Sequence, residues 1–403
     1  MSAGLWGFRI RLVEQADLAD RMAAWSQYVH TRAEASPSRW PEWLRVLEQS
    51  MGHRPYCLEA VAESAQVAAC RPEAPPASLS ELDSALRPGA AGRSEDHLAP
   101  GLSGQNETPE SAGRLVGLLP LADVRSWLFG RFLVGLPYLN VGGVLTDRAE
   151  VAHALVEEAA RLADRLNARY LELRHERPLE HPRLTEQLTS KVHMRLALPA
   201  TPEQLWKSFD PKVRNQVRKG QRWELSVHWG SLDLLEDFYR VFAHNMRDLG
   251  TPVFPRRLFQ AILEQFPNDA ELCVVRMGGR PVAGALLVHG PGMTEVPNAS
   301  SLRKYNHTCA NMLMYWHLLS RAVERGQTVF DFGRSTVDSP TYRFKKQWGA
   351  QPAAAVWQYY LRHGSIQQMR PESGRFRLAI QLWRRLPVWL TRLLGPWIVR
   401  GIP

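Results

Sequence analysis

The sequence predicts a mixed α+β fold in which one unit occurs twice, each copy a mixed sheet flanked by helices. Three observations carry this. At 403 residues and 45% hydrophobic, the chain is long enough for two domains that each bury a core. The segment ELCVVRMGGRPVAGALLV, Glu271 to Val288, reads as two strands joined at Gly278-Gly279, a strong hairpin signal. Earlier, YCLEAVAE (Tyr56 to Glu63) and RLVGLLPLADV (Arg114 to Val124) read as the same hairpin drawn apart.

The same elements follow each hairpin. In the first half a helix is expected at about 151–167, with Leu155, Ala159, Leu162 and Leu166 on one face, then the strand ARYLELR, Ala168 to Arg174. In the second half a helix is expected near 311–324 with Leu313, Trp316 and Leu319 inward, then the strand TVFDFG, Thr328 to Gly333. Between them, Thr201-Pro202-Glu203-Gln204 is a capping box with proline at the first helical position. Asp210-Pro211 starts another helix that ends at Gly220, and helices near 232–248 and 256–266 lead into the second hairpin.

The first hairpin is interrupted by about fifty residues, 64–113, rich in Ala, Pro, Ser and Gly and without an aromatic. Such a composition cannot bury enough surface to order itself, so disorder is expected there. Enlarging a turn to that length costs only ~2 kcal/mol of closure entropy. The expected division is 1–199 for the first unit with its insertion, 200–365 for the second unit carrying the main site, and 366–403 for a tail.

Cys57, Cys70, Cys273 and Cys309 show no CxxC spacing and read as reduced, mostly buried thiols of a cytosolic protein. The first thirty residues read as neither export signal nor anchor, and no run of eighteen apolar residues would span a membrane. His175 and His181 lack metal-ligand spacing and read as loop histidines; Cys273 reads as core. No metal site and no tightly bound cofactor are expected.

Three groups of residues could carry chemistry. In the helix PKVRNQVRKGQR, Val213 and Val217 form an inner face while Lys212, Arg214, Arg218, Lys219 and Arg222 crowd the rest. A solvated helix would mix acids among those bases, so binding of phosphate or pyrophosphate is favoured over a plain surface face. Asp331, Arg334 and Ser335 stand at a strand end, where ligands reach backbone and side chains together. Asp331 either caps the turn and pairs with Arg334, or the two position reactants, Arg334 gripping a carboxylate or phosphate. The third group is Tyr342, Phe344, Lys345, Lys346 and Trp348, either a basic turn packed on Trp348 or a cation placed for catalysis.

The stretch DFGRSTVDSPTYRFKKQWG, Asp331 to Gly349, together with the K-x-R-x-x-x-R-K pattern at Lys212–Lys219, resembles the signature of FemAB-like acyltransferases. The wording is closest to the subgroup associated with exosortase/PEP-CTERM and exopolysaccharide systems. The resemblance implies two tandem GNAT-like (acyl-CoA N-acyltransferase) units and transfer of an N-acyl or aminoacyl group to an amine of a cell-envelope precursor. It implies catalytic roles for Lys345, Asp331 and Arg334, with Lys345 stabilising the tetrahedral oxyanion. It places Lys212, Arg214, Arg218, Lys219, Ser335, Tyr342, Phe344, Lys346 and Trp348 around a phosphorylated or lipid-linked substrate. The donor is left as aminoacyl-tRNA or acyl-CoA. Where acyl-CoA enzymes carry a glycine-rich pyrophosphate loop, this chain reads Arg303-Lys304-Tyr305-Asn306-His307-Thr308-Cys309-Ala310, which disfavours acetyl-CoA. Two alternatives stay open: a non-catalytic membrane-associated scaffold, and an acetyl-CoA-dependent N-acetyltransferase.

The net charge of +10 is concentrated in the tail, where seven arginines from Arg370 to Arg400 face one acid, Glu372. Leu378, Leu382, Leu386, Trp389, Leu393 and Trp397 fall on one side of a helical wheel, with Arg377, Arg384, Arg385 and Arg392 on the other. This pattern favours contact of 375–403 with an anionic membrane surface over a helix closing the second core. The expected location is cytoplasmic and peripheral to the inner membrane, with tRNA a possible partner and no DNA.

Overall fold

The structure is a computed structural model describing residues 7–32, 36–63, 114–362 and 377–402. The insertion at 64–113, expected to be disordered, lies outside the described residues, as does Cys70. The first half runs β1 (Phe8–Glu14), α1 (Leu18–His30), α2 (Trp43–Met51), β2 (Arg54–Ala62), β3 (Leu115–Ser126), β4 (Gly130–Val134), α3 (Ala149–Arg165), β5 (Tyr170–His175), β6 (Glu186–Leu188) and β7 (Lys191–Ala197). The second runs α4 (Pro202–Ser208), α5 (Pro211–Gln221), β8 (Leu225–Gly230), α6 (Leu235–Leu249), α7 (Arg256–Gln265), β9 (Ala270–Met277), β10 (Arg280–Gly290), β11 (Met293–Ser301), α8 (Ala310–Glu324) and β12 (Val329–Thr336). Then follow α9 (Pro340–Lys346), β13 (Gln351–Ala354), β14 (Val356–Leu361), α10 (Arg377–Arg385) and α11 (Val388–Val399).

Two seven-stranded sheets repeat one plan, ordered β1-β2-β3-β4-β5-β14-β6 and β8-β9-β10-β11-β12-β7-β13. In each, the first four strands are antiparallel and the fourth meets the fifth in parallel, β4 with β5 and β11 with β12. The sheets exchange strands: β7 precedes the expected division at 199/200 yet joins the second sheet, and β14 follows it yet joins the first. Both hairpins form. Gly278 and Gly279 take φ of 53° and 75°, the left-handed pair a two-residue turn requires. β2 and β3 pair across the insertion from Arg54↔Asp123 to Val61↔Leu115.

Strand alternation builds three layers of core. In β9, Leu272 and Val274 face a central layer formed with α1, α2, α6 and α7, whereas Cys273 and Val275 face α5 and α8 on the far side. Leu58, Leu119 and Leu121 of the first sheet pack on Leu155, Ala159 and Leu162 of α3. The central layer joins the halves, with Trp40 and Trp43 against Phe266 at ring distances of 5.2 and 5.0 Å. Leu166 and Trp316, expected on inner faces, are half-buried, and Trp316 packs edge-on against Trp206 and Phe209.

Both expected helix starts are capped by a side chain. Thr201 accepts from Gln204 N–H, and the Asp210 carboxylate accepts from Lys212 N–H at 2.7 Å. Helix α5 runs one residue past Gly220 because Gly220 is needed for contact: a Cβ there would stand 3.0 Å from the Leu313 side chain.

Candidate active site

Each parallel strand pair is short, and the chain parts immediately beyond it. β11 and β12 match only from Met293↔Val329 to Glu295↔Asp331. β12 then bulges between Asp331 and Arg334, where Gly333 takes φ of 75° and donates its N–H to Asp331 Oδ1 at 2.7 Å. In the first sheet β4 and β5 match at Leu133↔Leu171 and Val134↔Glu172. Beyond them the Gly135 and Gly142 backbones cross so closely that a Cβ on Gly135 would lie 1.8 Å from the Gly142 carbonyl oxygen.

Charged side chains collect at the parting of β11 and β12. Asp331 is buried and does not pair with Arg334. Its Oδ2 accepts from Arg195 Nε at 2.9 Å, and His193 Nδ1 lies 3.8 Å away. Arg195 reaches on to Glu176, which also accepts from Arg39 at 3.1 Å, so alternating charges run Arg39–Glu176–Arg195–Asp331 from one half of the chain to the other. Lys345 on α9 is buried, and its ammonium donates to the carbonyls of Gly333 and Arg334, each at 3.0 Å. Three N–H groups are available on an ammonium, so one remains. Burial, with the nearby Arg334 guanidinium, lowers the Lys345 pKa to about 8 despite the opposing pull of Asp331.

Arg334 turns towards the first sheet. Its Nε donates to Asn140 at 3.3 Å, and its guanidinium stacks over the Trp357 indole at 4.0 Å. Arg174 stacks over the same indole at 4.1 Å while paired with Glu172. Burial, and then the charge of Arg174, lower the Arg334 pKa to about 9. Arg334 Nη1, Ser335 Oγ and both His193 ring nitrogens are buried without a hydrogen-bond partner among the described residues. Burial lowers the His193 pKa against the opposing pull of Asp331.

Glu295 lies across from Asp331 and accepts from the Ser38 N–H and hydroxyl. Burial, and then the Asp331 charge, raise its pKa from 4.5 to about 7. The folded state therefore holds this proton more tightly than the unfolded state. The resulting stabilisation is full below pH about 4.5 and is lost as pH rises through about 7. Glu295→Gln is expected to remove that loss, making the variant relatively more stable at pH 8 than at pH 4.5 by about 3 kcal/mol in urea unfolding.

The other expected residues occupy distinct places. Tyr342 and Trp348 are buried in the core of the second sheet, Trp348 against Phe209 and Tyr315 at 5.2 and 6.2 Å. Phe344 is half-buried on Tyr315, and Lys346 is exposed. Lys212, Arg218 and Lys219 are exposed on α5, and Arg218 lies over the Trp206 ring at 5.5 Å. Arg214 is half-buried, its Nε without a partner among the described residues. Helix α5 runs along α8: Phe209 before it meets Trp316, and Gly220 near its end meets Leu313 and the carbonyls of Thr308 and Cys309. The basic end of α5 thus lies beside the start of α8. There Arg303–Thr308 forms a short 3-10 helix, and Cys309 stands at φ of 59°, a conformation that glycine would adopt more easily.

Arg39, Glu172, Arg174, Glu176, His193, Arg195 and Glu295 were not singled out in the sequence, though a signal existed for some. His193 and Arg195 alternate in KVHMRLA, as do Glu172 and Arg174 in YLELRH, placing charges on one face of otherwise apolar strands. His175, expected in a loop, ends β5 instead; it is buried, bonded to Gln358 and Val144 N–H, and held at a pKa of about 4 chiefly by burial. Cys273 is a buried core residue, and Cys57, Cys273 and Cys309 are free thiols.

Residues 207–346 match the Acetyltransferase (GNAT) domain family. Among curated proteins, none matches the sequence. Among solved structures, the chain is similar to FemX, at 12% identity and TM-score 0.55, over 89% of this chain and 98% of that one. A tandem GNAT protein from the clavulanic acid biosynthesis pathway aligns at 11% identity and TM-score 0.48, over 89% and 100%. L-PGS from Bacillus licheniformis aligns at 14% identity and TM-score 0.40, over 70% and 86%. Among the described residues, no helix is long and apolar enough to cross a membrane. The chain thus carries a GNAT-type acyltransferase domain across residues 207–346, within a two-sheet α+β fold like that of FemX.

Proposed function

We propose that the protein transfers an N-acyl or aminoacyl group to an amine of a phosphorylated or lipid-linked cell-envelope or exopolysaccharide precursor, at the inner face of a bacterial membrane. The observation that carries this reading is the buried Lys345 ammonium, held by two carbonyls at the point where β11 and β12 part. In the reaction the amine nitrogen attacks the acyl carbon and the carbonyl oxygen takes up negative charge; the carbonyl then re-forms as the C–O or C–S bond to the donor breaks, and the proton lost by the amine ends on the departing tRNA hydroxyl or CoA thiol. A desolvated cation beside that oxygen stabilises the charge where it develops. Lys345 supplies the cation.

Arg334 presents Nη1, which has no partner among the described residues, to a carboxylate or phosphate of one substrate. Asp331 fixes the Gly333 turn and Arg195, and so sets where Lys345 and Arg334 stand. Lys212, Arg214, Arg218 and Lys219 receive the phosphates of the precursor, while Phe344 and Lys346 flank Lys345 on α9. Tyr342 and Trp348 act through packing, by seating α9 on the core. The donor is aminoacyl-tRNA or acyl-CoA, and the wording of Asp331–Gly349 favours a role in an exosortase/PEP-CTERM or exopolysaccharide system.

Native mass spectrometry of protein purified from its own cells with the membrane fraction tests this reading. A retained aminoacyl or acyl species, or a lipid-linked saccharide bearing an amine, is the expected result. Recovery of phospholipid alone, with no label moved from charged tRNA or acyl-CoA to an envelope extract, would favour a non-catalytic scaffold.

A further inference from the structure

Two arginines of the tail helices, Arg384 and Arg392, reach α6. Arg392 reaches Glu236 at 3.5 Å and lies over the Tyr239 ring at 5.0 Å, both on α6. Arg384 donates to the Leu249 carbonyl, and Arg247 of α6 donates to the Leu386 carbonyl, each at 3.1 Å. In α11, Thr391, Gly395 and Val399 form the buried stripe, and a Cβ on Gly395 would stand 2.7 Å from the Val253 nitrogen. The opposite stripe, two residues out of step, is Trp389, Leu393 and Trp397 at 67%, 60% and 66% exposure. Leu378 and Leu382 of α10 are exposed as well.

A second apolar projection stands near the end of α11. The turn between β3 and β4 carries Trp127, 92% exposed, and Leu128, 58% exposed. The end of α11 rests against that turn: a Cβ on Gly401 would touch the Ser126 side chain at 2.4 Å, with Phe129 at 3.5 Å. The surroundings are basic. Exposed Arg125, Arg384, Arg385 and Arg400 flank the apolar residues, and no acid occurs in 377–402. A second copy of the chain is a poor occupant for this face, because a two-fold contact would set the arginine rim against itself. An anionic bilayer complements both the charge and the Trp/Leu surface.

We propose that Trp127 and Leu128 insert into the same anionic bilayer as the Trp389–Leu393–Trp397 stripe, so that the protein is held at two points. This rests on the membrane-surface reading above and adds a turn from the first sheet as the second anchor. Contact at two separated points fixes how the molecule faces the bilayer, which contact through a tail alone would not do.

The test is flotation of the full-length protein with phosphatidylcholine vesicles containing about one-third phosphatidylglycerol, with pure phosphatidylcholine as comparison. Three proteins are compared: wild type, Trp127→Ser/Leu128→Ser, and Trp389→Ser/Trp397→Ser. Wild type is expected to bind the anionic vesicles, and each double variant to bind about tenfold more weakly or worse, with unchanged circular dichroism. Wild-type binding left intact in Trp127→Ser/Leu128→Ser would overturn the second anchor while leaving the tail reading standing. Failure of wild type to bind anionic vesicles would overturn both. A dimer in light scattering that Trp127→Ser/Leu128→Ser dissociates, with no vesicle binding, would assign the face to a second copy and also overturn the proposal.

Discussion

Lys345→Ala is expected to lose about two to three orders of magnitude in transfer rate, the scale of removing one oxyanion-stabilising group from a preorganised site. The fold should survive. The variant strips the donor from the Gly333 and Arg334 carbonyls, at a cost of about 1–3 kcal/mol that a water entering the vacated volume would partly offset. A lowered melting temperature with native circular dichroism would therefore accompany the loss of activity. Lys345→Arg separates the two effects. It keeps a charge but cannot place a compact ammonium between two carbonyls, so stability should recover more than rate. A variant equally slow and equally stable as alanine would point to a purely structural lysine.

Arg334→Met should behave in the opposite way. The guanidinium is largely desolvated, shares its indole with Arg174, and leaves Nη1 unpaired among the described residues. Removing such a charge while keeping an apolar side chain on Trp357 is expected to leave unfolding free energy within about 1 kcal/mol of wild type, or to raise it. Substrate affinity should fall. A charge-assisted hydrogen bond contributes about 1.5–3 kcal/mol, so KM should rise by about ten- to a hundredfold. Unchanged KM with a large loss of stability would show that Arg334 only braces the two sheets.

What was legible in the sequence had local causes. The Gly278-Gly279 turn, the Thr201 cap and the Asp210 cap each depend on a few neighbouring residues, and each forms where the spacing placed it. The β2–β3 hairpin was legible across the insertion because its strands keep their own apolar pattern. The acid, arginine and lysines of Asp331–Gly349 lie within one short stretch, and the structure brings Asp331, Arg334 and Lys345 around one bulge.

What was not legible depends on distant residues meeting. Asp331 was expected either to pair with Arg334 or to position reactants beside it. It pairs instead with Arg195, 136 residues away, because β7 crosses into the second sheet beside β12. No local pattern distinguishes a strand that stays in its own unit from one that is exchanged. The tail shows the same limit. Of the Leu and Trp side of its wheel, Leu378, Leu382, Trp389, Leu393 and Trp397 are exposed, whereas Leu386 is half-buried and Arg384 and Arg385 are exposed as well; periodicity alone could not say which side would meet α6. In α11 the buried side is Thr391, Gly395 and Val399, with Arg392 reaching Glu236 and Tyr239 and the Trp389, Leu393 and Trp397 stripe left exposed.

The most direct measurement is transfer of label from a pool of charged tRNA, and separately from acyl-CoA, into the amine-bearing fraction of an envelope extract. Wild type and Lys345→Ala are run side by side at matched folded concentration. The account predicts that wild type moves label from one of the two donors and that Lys345→Ala does so at least about a hundredfold more slowly. Equal rates from the two proteins would contradict the placement of the reaction at the parting of β11 and β12.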